Sequence, residues 1–162
     1  TDVNASRWYY SSVKFAYEKG LMNGTGNGTF SPNADTTRGM IVTILARMEG
    51  VDTTKGAAWY AAGREWAMKN GISDGTNMEA NITREQLAAI LYRYATFCGY
   101  AVTASAEISR FADAGTVGSY ALAAMKWASA EGLINGSGSN LVPKAQATRA
   151  QVAAIIHRYL EK

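Results

Sequence analysis

Thr37-Arg38, Thr83-Arg84 and Thr148-Arg149 each open an apolar run that closes on a second arginine, Arg47, Arg93 or Arg158, nine residues after the first. Within the runs, Ile41-Val42-Ile44-Leu45, Leu87-Ala88-Ile90-Leu91 and Val152-Ala153-Ile155-Ile156 recur at helical spacing, and threonine is a good N-cap. Each Thr-Arg pair therefore marks a helix start. Gln86 and Gln151 lie three residues after their threonines, the capping-box spacing; the first copy has Met40 there, so no box is expected in it. An arginine in the first turn faces the positive end of the helix dipole, at a cost of about 0.3–1 kcal/mol each time. Two readings account for its threefold use. Either the guanidinium and the free first-turn N–H groups converge on an anion, or the arginine pairs with a carboxylate of a neighbouring repeat. The second arginines stand half a turn out of phase, so they are expected to point away from the first and to be structural or solvated.

Working outward, an aromatic pair precedes each of these units. From Trp8, Trp59 or Tyr120 to Phe15, Trp66 or Trp127 is seven residues, then five to Gly20, Gly71 or Gly132, and four to Gly24, Gly75 or Gly136. Aromatics at i and i+7 share a helix face, and the first glycine supplies a left-handed C′ residue. A helix is thus expected over about 6–19, 57–70 and 118–131, giving three helix-loop-helix repeats at 1–50, 51–99 and 108–162 with a linker at 100–107. The second loop is short: Gly71 to Arg84 is thirteen residues, against eighteen and seventeen in the other copies. Each helix pair carries an apolar face it cannot bury alone, so three pairs should close on a shared core as one all-α, pseudo-threefold domain. Trp66, Trp127 and Phe15 are the better candidates for that core, and Trp8, Trp59 and Tyr120 for a groove.

The composition narrows the chemistry. The 162 residues are 48% hydrophobic with a net charge of +3, which favours an anionic partner but lacks the basic stripe of a nucleic-acid binder. One cysteine, Cys98, excludes an internal disulfide. No apolar run is long enough to span a membrane. The sequence begins at Thr1, already inside a repeat, so a piece of a longer polypeptide is expected. His157 is the only histidine and stands near a helix end, which argues against His-based nucleophilic catalysis and against a His/Cys metal site. Neither a catalytic site nor a cofactor is expected. The remaining threefold set of arginine, aromatic and aspartate suits an acidic glycan, whose rings stack on aromatic faces and whose carboxylate pairs with arginine.

These residues resemble a tandem of three S-layer homology motifs. The pieces are Asp2-Val3, Gly20-Leu21-Met22-Asn23-Gly24, Gly28-Thr29-Phe30-Ser31-Pro32 and Thr37-Arg38; Val51-Asp52, Gly71-Ile72-Ser73-Asp74-Gly75 and Ile82-Thr83-Arg84; and Phe111-Ala112-Asp113, Gly132-Leu133-Ile134-Asn135-Gly136 and Ala147-Thr148-Arg149. The resemblance implies a three-pronged bundle with grooves between adjacent repeats. It also implies non-covalent anchoring of an exported bacterial protein through a pyruvylated secondary cell-wall polysaccharide attached to peptidoglycan. The ligand residues it implies are Arg38, Arg84 and Arg149, Asp2, Asp52 and Asp113, Trp8, Trp59 and Tyr120, with backbone at Gly24, Gly75 and Gly136. A surface-layer assembly module is the alternative. The groove beside the short second loop is expected to be the weakest, because less wall buries less ligand.

Overall fold

The computed structural model describes residues 2–136 and 138–161. It contains six α-helices: α1 (Tyr10–Glu18), α2 (Arg38–Met48), α3 (Ala61–Lys69), α4 (Arg84–Phe97), α5 (Leu122–Ala130) and α6 (Arg149–Leu160). Among the described residues there is no strand, only isolated bridges.

Thr37, Thr83 and Thr148 adopt extended backbone and cap α2, α4 and α6, their hydroxyls accepting from the N–H of the third helical residue. The first copy has a box after all: Thr37 N–H donates to the Met40 thioether at 3.4 Å, a weak acceptor standing where Gln86 and Gln151 offer an amide oxygen. The odd-numbered helices begin about four residues later than periodicity predicts. Tyr9, Tyr60 and Ala121 precede them in helical conformation without any side-chain cap, so the first aromatic of each repeat sits in the entry turn. Their C-termini follow the expected pattern. Gly20, Gly71 and Gly132 have φ near +70°, and Leu21, Ile72 and Leu133 N–H return to Ala16, Ala67 and Ala128 at 2.9 Å.

The helices of one repeat do not pair with each other. Instead α2 packs on α3, α4 on α5, and α6 on α1, so each pair joins the second helix of one repeat to the first helix of the next, and the last repeat returns to the first. At the α2–α3 crossing a Cβ on Gly63 would lie 2.9 Å from Thr43 Cα, which is why a glycine stands there. The residues just before the capping threonines form a closed ring of backbone bonds: Thr36 N–H to Ala147 O, Ala147 N–H to Ile82 O, and Ile82 N–H to Thr36 O, at 2.8–3.0 Å. Ile41, Leu45, Leu87, Leu91, Val152 and Ile156 are buried with this ring. The connection after α4 is not loose: Ala106 N–H donates to Lys126 O, Ile108 is buried, and Val102 and Ala104 pack on the core.

Candidate functional site

The loops between the helices of each repeat, loop A (19–37), loop B (70–83) and loop C (131–148), reach the N-terminus of a helix from another repeat. Ala80 and Met78 of loop B accept from Arg38 and Gly39 N–H. Ala145 and Pro143 of loop C accept from Arg84 and Glu85, and Ala34 and Pro32 of loop A accept from Arg149 and Ala150, all at 2.8–3.0 Å. With the threonine hydroxyl serving the third residue, the first-turn donors of α2, α4 and α6 are all taken. This overturns the reading in which those N–H groups converge on an anion.

The leading arginines follow the loops. Arg149 is buried at 6% exposure; its Nε donates to Phe30 O at 2.8 Å and its Nη2 to Asn23 O. Arg38 Nε donates to Thr76 O at 3.0 Å, and Nη2 meets the Asp74 carboxylate at 3.3 Å, the pairing with a neighbouring repeat that the sequence left open. Arg84, also buried at 8% exposure, leaves its Nε without a partner among the described residues.

The trailing arginines do not point away. Arg47, Arg93 and Arg158 donate to Leu21, Ile72 and Leu133 O, the first residues after the glycines. The half-turn offset holds within one helix, yet Arg47 shares a cavity with Arg149 and Arg158 with Arg84, each from a different helix, while Arg93 and Arg38 both act on Asp74. Two of these pairs line grooves. Groove A holds loop A with Arg47, Arg149 and Trp59 around about 140 Å³. Groove C holds loop C with Arg158, Arg84 and Trp8 around about 200 Å³. Beside loop B, Asp74 feels both Arg38 and Arg93. Tyr120 stands among Glu85, Lys144 and Arg38, its phenol pushed up by burial and then by Glu85. Burial disfavours the charged form of Arg84, and Arg158 adds repulsion. Arg149 is likewise lowered by burial, opposed by Asp2.

Trp8, Trp59 and Tyr120 are 61%, 52% and 55% exposed, as groove aromatics should be. Trp127 is buried and Trp66 is half-buried against the core, whereas Phe15 is half-buried on the ring of His157. The aspartates have another employment. Asp2 accepts from Phe30 and Ser31 N–H at 2.7 and 2.8 Å, and Asp113 from Leu141 and Val142 N–H at 2.7 and 2.9 Å. These bonds hold both carboxyls below the ordinary value, Phe30 and Leu141 contributing most. Asp52 caps only its own turn, through Thr54. Gly24 and Gly136 line grooves A and C, while Gly75 has its N–H on Ser73 and its carbonyl on Arg64.

His157 lies in the α1–α6 contact, 3.1 Å from Ser12 Oγ and 3.2 Å from the exposed Glu161, with Phe15 stacked at 4.2 Å. Its role there is packing. Among the described residues no His, Cys, Asp or Glu group is placed to hold a metal, and no helix is long and apolar enough to cross a membrane. Sequence reasoning missed that each groove draws on three repeats. It also missed the second arginine and Glu85, which is buried against Gly118 N–H and Lys144. The regular nine-residue spacing was the available signal for the arginine.

The family model described as S-layer homology domain matches residues 1–39 and 110–153, about half of the chain. An endoglucanase of Bacillus sp. (strain KSM-635) is 29% identical over the whole chain, which covers 19% of that protein. The exoglucanase XynX of Acetivibrio thermocellus is 30% identical over 96% of the chain and 16% of its own length. The surface-layer 125 kDa protein of Lysinibacillus sphaericus is 28% identical over 93% of the chain and 14% of its own length. The chain thus spans a fifth or less of these relatives.

Proposed function

Because the chain belongs to the S-layer homology domain family, we infer that it is a cell-surface anchoring module. It holds a longer exported polypeptide on the bacterial wall by binding an acidic, pyruvylated secondary polysaccharide in the grooves between its repeats. The observation that carries this reading is the pairing, in grooves A and C, of two arginines beneath an exposed tryptophan. An indole face suits a sugar ring, and two guanidinium groups suit its carboxylate. The backbone ring at Thr36, Ile82 and Ala147 supports the pseudo-threefold, three-pronged arrangement on which such grooves depend. Relatives that differ in the rest of their chains, two glucanases and a surface-layer protein, fit a common attachment module. In this reading Arg84, Arg149, Trp8 and Trp59 touch ligand, while Asp2 and Asp113 act by shaping the loops.

Sedimentation with purified wall sacculi tests the function. Binding should be present before, and lost after, chemical removal of the secondary polymer. Binding that survives the removal refutes the polysaccharide as partner and favours an assembly module.

A further inference from the structure

Resting on the function just proposed, we propose that groove C, between Trp8, Arg84, Arg158 and loop C, is the principal carboxylate-binding groove, ahead of groove A and of the arginine beside loop B. The argument compares what each leading arginine already does. In groove A, Arg149 spends Nε on Phe30 O and Nη2 on Asn23 O. Beside loop B, Arg38 spends the same two atoms on Thr76 O and on the Asp74 carboxylate. Phe30 and Thr76 each stand two residues before the loop residue that accepts from the second helical N–H, Pro32 or Met78. In loop C that acceptor is Pro143, so the corresponding position is Leu141. Arg84 Nε makes no such bond, although its side chain is as deeply buried as that of Arg149.

A buried guanidinium nitrogen without an acceptor is unfavourable, and in groove C it faces a second cation. Arg84 and Arg158 line the same space; among the described residues the other polar side chains on its wall are Asn135 and Gln151, and no carboxylate is among them. A bound carboxylate satisfies the free donor and removes the like-charge repulsion in one step. In groove A the first of these gains is already made inside the protein. Beside loop B, Asp74 occupies the anion's place. Groove C is also roomier than groove A, about 200 against 140 Å³, and Trp8 offers the more exposed of the two indoles. The ligand group that fits is a compact carboxylate fused to a sugar ring, seated on both arginines with the ring on Trp8.

The test uses the intact chain and a methyl hexopyranoside carrying a 4,6-linked pyruvate ketal, with its methyl ester as neutral control. Calorimetry and amide and indole NMR shifts are read for the parent, Trp8→Ala, Trp59→Ala, Arg84→Lys and Arg84→Gln. The expected result is a loss of about tenfold or more for Trp8→Ala and both Arg84 variants, a clearly smaller loss of about two- to threefold for Trp59→Ala, and no binding of the ester. Both tryptophans are largely exposed, so their variants keep the comparison valid even if Arg84→Gln folds poorly. A larger loss for Trp59→Ala than for Trp8→Ala, or equal losses, overturns the assignment to groove C while anchoring stands. Sacculus binding without any binding of the ketal overturns carboxylate recognition in groove C. Absence of sacculus binding instead overturns the anchoring function itself.

Discussion

Loop C places Val142 at φ 48°, and loop B places Asn77 at φ 53° in the corresponding position. Asparagine tolerates the left-handed region, whereas a β-branched residue there is strained. The strained position is the one the protein clamps: Asp113 takes the N–H groups of Leu141 and Val142, and Asp2 does the same for Ser31 of loop A, at φ 57°. Loop B needs no clamp, and Asp52 makes only a local turn. The clamp alone does not decide the arginine contacts, since loop A, clamped by Asp2, still bonds Arg149 Nε through Phe30 O. Of the two clamped loops, loop C runs past Arg84 without bonding its Nε, while the unclamped loop B closes on Arg38 through Thr76 and Asp74.

Glycine substitutions should separate the loops most strongly. A Cβ on Gly136 would lie 2.7 Å from the Phe111 ring and 2.8 Å from Asn140 O at φ +79°, whereas on Gly75 it would meet mainly the flexible Met68 thioether. Gly136→Ala is expected to destabilise by about 2–4 kcal/mol, through left-handed strain and overpacking, and Gly75→Ala by about 1–2 kcal/mol. Urea unfolding of the two variants measures this, and equal losses would break the comparison.

Next in size is the clamp. Asp113→Ala should lower Tm clearly, and Asp52→Ala much less. The pH dependence follows from the same bonds. The carboxyl is depressed in the folded state, so its stabilisation is complete above the unfolded aspartate value, near ~3.9. It is lost as pH falls through the lower folded value. An acid titration of Tm should therefore drop less steeply in Asp113→Ala than in the parent; parallel curves would show that the clamp carries no proton linkage.

Val142→Asn should relieve the strain and raise stability by about 1 kcal/mol, while Asn77→Val loses a similar amount. Smallest in stability is Asp74→Asn, since the pair it breaks is exposed on the aspartate side and worth under about 1 kcal/mol. Its effect should appear in binding instead. Freed from the carboxylate, Arg38 should begin to respond to the pyruvate-ketal probe in NMR, and silence there would mean that Asp74 is not what disables this groove.

The helices, their threonine caps and their glycine ends were legible because each is a local matter of period and spacing. So were the exposure of Trp8, Trp59 and Tyr120 and the distinct character of loop B, which follows from its length. The partnership of helices was not legible. An amphipathic face states that it must be covered without stating by what, and α2 is covered by α3 of the next repeat. The arginines failed for the same reason: phase along one helix says nothing about Arg158 meeting Arg84 from another. Asp2 and Asp113 had the right spacing to matter, yet the N–H groups they serve lie 28 and 29 positions away.

The return of α6 to α1 sets the order of assembly. Ser12 and His157, which meet across that contact, are 145 residues apart, so the loop closed there is nearly the whole chain and its entropy must be met before the contact contributes. During synthesis or export, α2 with α3 and α4 with α5 can pair as soon as each partner emerges. Val13 and Ala16 of α1 wait until the twelve-residue α6 arrives. Of these six helices the earliest made is thus the last to find its cover, and without the segment from Arg149 onward two finished pairs would stand beside one helix with its apolar face still open.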